Sequence, residues 1–320
     1  MQNTVYYIEG DGIGPEVWQA ARPVFDKAVE MAYGTERHIE WQELLAGEKA
    51  LAETGQLLPE ATLRALKEAA FAIKGPLGTP VGKGFRSLNV TLRQTLDLFA
   101  CIRPIRYYEG VSSPVKHPEQ VDMIVFRENT EDLYLGVEFK SGSAEARKLA
   151  AFLHEEMGVA ISPEAGIGIK PMTPAGSKRL IRKAVQYALD DKRPSVTLMH
   201  KGNIMKFAEG GCREWGYDLV REEFASRCCT EDHIESGKLL VKDRIADAIF
   251  QEVLLYPQNY SVIATPNLNG DYISDALAAQ VGGLGMAPGV NMSENLAFFE
   301  ATHGTAPAIA GKDKAKGTNG

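Results

Sequence analysis

YSVIATPNLNGDYISDALAAQVGG, residues 260–283, decides how the chain is read. Its first part is a short apolar, β-branched run of the kind that makes a buried strand, and Pro266 and Asn267 then open a helix. A strand that runs straight into a helix is the building unit of α/β sheets. Within that helix Asp271 and Asp275 lie four apart, so they share a face with about 5–6 Å between Cβ atoms and repel unless a cation stands between them. Two readings compete: acidic residues placed to suit a helix macrodipole, and a pair of oxygen ligands. The first suits Asp271 better than Asp275.

The same alternation extends outward. TVYYIEG (4–10) reads as a strand and PEVWQAARPVFDKAVEMA (15–32) as a helix entered at Pro15, with a kink or broken turn expected at Pro23. LPEATLRALKEA (58–69) reads as a helix followed by the strand AFAIKGP (70–76). Further strands are expected in DMIVFRE (122–128) and SVTLMHKGN (195–203), with helices over 176–191 and 241–255. Strands and helices in alternation predict α/β layers on a largely parallel sheet. No internal repeat or low-complexity tract interrupts the pattern.

A chain of 320 residues suits two domains or one large domain with an insertion. Its 44% apolar content is that of an ordinary globular protein, and its net charge of -7 argues against nucleic acid and against an acidic membrane face. No run is long and apolar enough to span a bilayer, and MQNTVYYIEGDG lacks a signal peptide's apolar centre, so a cytoplasmic protein is expected. The four cysteines, Cys101, Cys212, Cys228 and Cys229, form no C-x-x-C pair and are read as reduced.

Two glycine clusters invite a phosphate-binding reading and do not support it. GDGIGPE (10–16) follows a strand and precedes a helix, but its third glycine comes one residue early for G-x-G-x-x-G. KGPLGTPVGKG (74–84) lacks the Lys-Ser/Thr of a Walker loop. Both read as turn chemistry, which sets aside a Rossmann dinucleotide fold.

Charge is concentrated more tellingly. Arg93, Arg103 and Arg127 stand beside Ser87 and Asn89 in FRSLNVTLRQTLDLFACIRPIRYY (85–108) and VFRENTEDLY (125–134). Arginines at strand ends suit bidentate recognition of carboxylates, and this group reads as a pocket for a small polyanion. Lys201 in MHKGNIMKF ends an apolar run, where a lysine serves proton transfer or, more plainly, an ion pair. KDRIADA supplies Asp243 and Asp247, again four apart. One more carboxylate beside Asp271 and Asp275 would complete a hard-cation site, with Mg²⁺ or Mn²⁺ preferred. Metal, arginines and lysine together suggest decarboxylation or aldol-type chemistry on a hydroxy acid.

Several stretches then resemble one family. YIEGDGIGPEV, AIKGPLGTPVGKGFRSLNVTLRQTLDL, IRPIRYY, FRENTEDLYLGVEFK, HKGNIMKF, NLNGDYISDALAAQVGGLGMAPG and FEATHGTAP look like the β-decarboxylating isocitrate/isopropylmalate dehydrogenases, the bacterial homodimeric isocitrate-oxidising type in particular. The resemblance runs from about residue 5 to about residue 314. It implies a two-domain α/β fold, not of Rossmann type, with a dimer clasp. The large cofactor-binding domain would be 1–98 plus 282–320, and the small domain 99–281, including an arm at about 132–173 that clasps a second copy.

By the same resemblance the substrate is isocitrate, held by Ser87, Asn89, Arg93, Arg103 and Arg127. Tyr134 and Lys201 transfer protons, and Asp271, Asp275 and Asp247 bind Mg²⁺ or Mn²⁺, with Lys201 and Asp247 reaching the site from the other subunit of a homodimer. Ser87 and Asn89 offer hydrogen bonds that an isopropylmalate side chain could not use, so isocitrate is preferred over that alternative substrate. Ser87 also matches a serine that some bacteria phosphorylate, where the added charge would repel an anionic substrate.

Leu77, Thr79, Asn203, Glu300, His303, Gly304, Ala308 and Ile309 match cofactor-binding positions. NADP-dependent relatives usually carry Lys-Tyr where this chain has Ala308 and Ile309, which leans the expectation toward NAD over NADP. Gly78 stands where threonine is common. The family continues beyond GKDKA with about a hundred residues, whereas this sequence closes with KGTNG. A truncated form, or a regulatory-type subunit binding isocitrate and metal without turnover, is therefore the alternative reading.

Overall fold

A computed structural model describes residues 4–78 and 87–315. From the N-terminus the chain forms β1 (Thr4–Ile8), α1 (Gly14–Tyr33), β2 (Glu40–Glu43), α2 (Glu48–Thr54), α3 (Glu60–Glu68), β3 (Phe71–Lys74) and α4 (Leu88–Thr95). It continues through β4 (Ala100–Arg106), β5 (Asp122–Glu128), β6 (Glu138–Phe139), α5 (Ala144–Met157), β7 (Ile167–Gly168), α6 (Pro174–Asp190), β8 (Ser195–His200) and α7 (Glu209–Glu223). Then come β9 (Cys228–Thr230), β10 (Leu239–Ile245), α8 (Ala246–Leu255), β11 (Val262–Thr265), α9 (Asn267–Gln280), β12 (Pro288–Met292) and β13 (Ala297–Ala301). Strand and helix follow the hydrophobic pattern closely: the helix expected over 176–191 is α6, at Pro174–Asp190, and the opening stretch is β11 running into α9.

Two local expectations are corrected. The helix expected over 241–255 begins only at Ala246, because Leu239–Ile245 is taken up by pairing with both β8 and β9. Asp243 is thus on a strand and Asp247 on a helix, and they share no helical face. The helix entered at Pro15 also does not break at Pro23 but runs on to Tyr33.

Eleven of the thirteen described strands form one sheet in the order β2-β1-β3-β13-β12-β4-β5-β11-β8-β10-β9. Pairing is parallel except where β12 meets β13 and β4, and where β4 meets β5. The antiparallel joint lies mid-sheet because the chain returns after α9 to insert β12 and β13 between β4 and β3. On one side of it, β5, β11, β8 and β10 run parallel, so their carboxyl ends share one edge, the usual place for a site in such sheets.

Burial follows the same geography. One apolar cluster draws on residues between Ile8 and Leu98 together with Leu296 and Phe298. Two others draw on residues between Phe99 and Val281, one on each face of the remaining strands. All four cysteines are buried and free, the plain reading of their spacing. Among the described residues no helix is long and apolar enough to cross a membrane. β6 and β7 pair with each other apart from the main sheet, with α5 between them in sequence.

Candidate active site

The sheet's carboxyl edge collects the charges singled out in the sequence. Arg127 is the next-to-last residue of β5 and is 1% exposed. Its Nε donates to Asn267 Oδ1 at 2.9 Å, its Nη1 pairs with Asp271, and its guanidinium lies 4.8 Å over the Tyr134 ring. Tyr134 donates its hydroxyl to the other oxygen of Asp271 at 2.8 Å. Arg103, on neighbouring β4, donates to Asp275 Oδ1 at 2.9 Å and to Ser274 Oγ at 2.6 Å. The two aspartates each face a buried arginine, and that is what relieves the repulsion between them.

The close fit depends on one glycine. A Cβ on Gly270 would stand 2.6 Å from Arg127 Cγ, so the first turn of α9 can lie on the arginine stem only because position 270 has no side chain. Asn267 and Gly270 are site residues that charge reasoning passed over. The signal was present in NLNGD, a glycine inside a helix that costs stability unless something must approach closely.

Desolvation raises the Tyr134 hydroxyl pKa; Arg127 opposes this and the hydrogen bond to Asp271 adds to it. The phenol therefore holds its proton at neutral pH. Several buried polar atoms here find no partner among the described residues: Arg127 Nη2, Arg103 Nε and Asn89 Oδ1. Unpartnered buried N–H groups on two arginines are costly in an isolated chain and suit an oxyanion ligand.

Ser87 caps α4 without a side-chain cap bond, and Asn89 and Arg93 follow on the helix. Arg93 faces Glu300 at 3.6 Å, and Glu300 also pairs with Lys74 at 2.8 Å, both carboxylate and ammonium being almost fully buried. Burial alone would raise the Glu300 pKa, but Lys74 and Arg93 outweigh it and bring the carboxyl down to about 2. Lys74 was not singled out in the sequence. It belongs to this group because the parallel register sets Glu300 opposite it.

Lys201 follows β8, and its ammonium pairs with Asp247 in the first turn of α8. The ion pair offered as the plain reading of Lys201 is thus present. Among the described residues no three His, Cys, Asp or Glu side chains come together as a metal-holding group, so Asp247 does not join Asp271 and Asp275 within one chain. Asp243 is engaged elsewhere: its carboxylate takes His200 at 2.9 Å, Tyr217 at 2.7 Å and Arg213 at 3.0 Å.

Among the matched cofactor positions, Leu77 is buried, Asn203 lies exposed in the turn after β8, and Thr79 is outside the described residues. Glu300 and His303 line one cleft of about 540 Å³ together with Trp18, Lys74 and Phe299. Gly304 and Ala308 are exposed, and Ile309 is half-buried in the turn that follows. The glycine cluster 10–14 is a turn, with Gly10 and Gly12 at φ of 87° and 62°. It wraps around buried Asp11, whose carboxylate accepts from the backbone N–H of Glu48 and of Gly78, each at 2.7 Å.

Comparison with known proteins adds three observations. Residues 4–319 match the family described as isocitrate/isopropylmalate dehydrogenase. A Staphylococcus epidermidis protein named isocitrate dehydrogenase [NADP] is 54% identical, over 96% of this chain and 79% of that one. A Pseudomonas aeruginosa protein of the same name is 56% identical, over 96% and 77%. The crystal structure of isocitrate dehydrogenase from Methylococcus capsulatus matches with a TM-score of 0.79 at 36% identity, covering 98% of this chain and 81% of that one.

Proposed function

The chain belongs to the isocitrate/isopropylmalate dehydrogenase family, and from that premise we propose that it oxidises and decarboxylates isocitrate to 2-oxoglutarate and carbon dioxide with reduction of NADP. The observation that carries the reading is the convergence of two buried arginines, each with an N–H that finds no partner among the described residues, on the aspartate pair of α9. A tricarboxylate supplies the oxygens that these donors lack. On this reading Arg93, Asn89 and Ser87, on α4 and at its N-cap, hold the remaining carboxylate of the substrate.

Asp271 and Asp275 offer oxygen donors only and keep 31% and 47% side-chain exposure, a donor set that fits Mg²⁺ or Mn²⁺. When bound, the cation supplies Lewis-acid polarisation and the nicotinamide accepts the hydride. Lys201 takes the substrate hydroxyl proton, and Tyr134 later protonates the enol carbon. Lys201 and Asp247 act in the site of a second copy, which is why Asp247 stands apart from Asp271 in one chain. Exposed Ile204, Phe207, Leu254, Leu255 and Tyr272, on the Lys201 turn, α8 and α9, support a homodimer covering these faces. Within each copy, 1–98 with 282–320 forms the large domain and 99–281 the small one, and the arm around α5 clasps the partner; residues 1–3, 79–86 and 316–320 lie outside the described residues.

The lean toward NAD is reversed. It rested on two side chains, Ala308 and Ile309, whereas relatives above 50% identity are named for NADP. A cation also stands in that turn, since Lys312 Nζ donates to the Ala308 carbonyl at 2.7 Å. The test is cofactor reduction by the purified chain with isocitrate and Mg²⁺ or Mn²⁺, NAD and NADP in parallel. Faster reduction of NADP is expected. No turnover with either, while isocitrate and metal still raise the melting temperature, would leave a binding protein and overturn the enzymatic reading.

A further inference from the structure

Glu209, the first residue of α7, is 0% exposed and yet carries a carboxylate. Its Oε2 accepts the backbone N–H of Lys201 and the side-chain amide of Asn269, the latter at 2.8 Å. Its Oε1 faces Lys170 Nζ at 3.0 Å, and the same ammonium bonds Asp132 Oδ1 at 2.6 Å. Asp132 in turn accepts from the backbone N–H of Leu268 at 3.0 Å and of Leu133 at 2.6 Å. Two buried carboxylates thus share one ammonium, and the excess charge is met by three backbone N–H groups, an amide and the N-terminus of α7.

Such an arrangement is poor at stabilising a fold. Buried ion pairs roughly offset their own desolvation, and a hydrophobic replacement would serve packing as well. What the carboxylate does provide is geometry. It ties together three separate elements: the Lys201 turn, the first turn of α9 two residues before Asp271, and the base of the arm through Lys170. The turn has no slack, because a Cβ on Gly202 would stand 2.7 Å from Gly210 Cα and 2.9 Å from His200 Nδ1. Movement of Glu209 therefore moves Lys201.

We propose that Glu209 is a positioning residue for Lys201, holding its main chain in a fixed frame with the Asp271 helix and the arm. The proposal rests on the proton-transfer role assigned above to Lys201. In a dimer with shared sites it has a further consequence: Lys201 works in one site and Asp271 in the other, so Glu209 is the strut between them.

The experiment replaces Glu209 by Gln in the full chain, with Glu209→Asp as a second variant that keeps the charge beside Lys170 but withdraws it from the Lys201 N–H. Two readouts are taken. One is kcat and KM for isocitrate; the other is the rate of Lys201 acylation by acetic anhydride, followed by peptide mass spectrometry and normalised to exposed Lys148. Expected are a kcat lowered about tenfold or more, an isocitrate KM within about threefold of the parent, and Lys201 labelling faster by severalfold. Unchanged kcat and labelling with only a lowered melting temperature would overturn the proposal, as would a raised KM at constant kcat. If Glu209→Gln does not fold, Glu209→Asp decides by the same two readouts. If the parent chain shows no turnover, the assigned function fails, while the labelling ratio still decides whether Glu209 fixes Lys201.

Discussion

Tyr134 and Asp271 are joined by a 2.8 Å hydrogen bond in which the phenol donates and the carboxylate, already paired with Arg127, accepts. The phenol lies with its ring against the same guanidinium, so ring and hydroxyl are held by separate contacts. Tyr134→Phe keeps the ring and removes only the proton. Turnover of isocitrate should fall about 10²- to 10⁴-fold, the usual range for a lost general acid. Reduction of added oxalosuccinate, which needs no protonation of the enol, should fall much less. Equal losses in the two assays would remove Tyr134 from the protonation step.

Gly270 carries a stability prediction. Ala at 270 forces a methyl into the Arg127 stem, and neither α9 nor a fully buried arginine has room to yield. Gly270→Ala should destabilise by about 1–3 kcal/mol, the cost of overpacking, although Ala is the better helix former. Urea unfolding with an unchanged slope and a lowered midpoint would show it. Isocitrate should also protect this variant less against heat, since the arginine it needs has been displaced.

Glu300 fixes the acid limb of stability. Its folded pKa of about 2 lies below the ordinary carboxylate value, so the unfolded chain binds the proton more readily. The contribution is therefore present above about pH 4–5 and is lost as pH falls toward 2. Glu300→Gln should flatten that limb while lowering stability at neutral pH. Lys74→Met, which leaves Glu300 with Arg93 alone, should cost about 3 kcal/mol, the lower end for breaking a buried pair. Equal acid limbs in parent and Glu300→Gln would remove Glu300 from this role.

How far these residues could be read from sequence depended on what each one needs. Arg127 and Asp271 were legible because they come from short stretches whose charge breaks the surrounding pattern, whereas Tyr134 entered only through the family resemblance. Lys74 and Glu300 sit 226 positions apart and meet only through parallel register, which no local pattern encodes. Asp243 misled because four-residue spacing implies a shared face only on a helix. The extended segment it occupies was fixed by pairing, with Asp243 opposite Leu198 of β8 and Leu239–Val241 also held by β9, a tertiary effect that overrides local preference. The turn at Ala308 and Ile309 shows another limit, since reading those two side chains says nothing of Lys312, whose ammonium donates to the Ala308 carbonyl.

Specificity follows from the polar lining of the site. On the proposed reading the Ser87 hydroxyl and the Asn89 side-chain amide N–H donate to the third carboxylate of isocitrate, and a substrate carrying an isopropyl group in its place would leave these donors unused. A site built to hydrogen-bond rejects an analogue lacking the partner by about 10⁴-fold. Isocitrate should exceed 3-isopropylmalate in kcat/KM by that order. Comparable efficiencies would move the chain to the other substrate class of its family.

Asp247 and Asp275 allow a test of the shared site that needs no structure of the dimer. In one chain Asp275 sits against Arg103, whereas Asp247 pairs with Lys201, and no cluster of three carboxylates forms among the described residues. If the cation is held by Asp271 and Asp275 of one copy and Asp247 of the other, Asp247→Asn and Asp275→Asn homodimers should each be nearly inactive. Unfolded together and refolded, they form hybrids in which one site carries both defects and the other carries none. Random pairing makes half the dimers hybrid, each with one intact site, so activity should recover to about one quarter of the parent at equal chain concentration. Recovery to that level, abolished by EDTA and restored by Mn²⁺, is the expected result. No recovery, with hybrids demonstrated by a mass tag on one variant, would place Asp247 outside the metal site and return the Lys201 pair to a structural role.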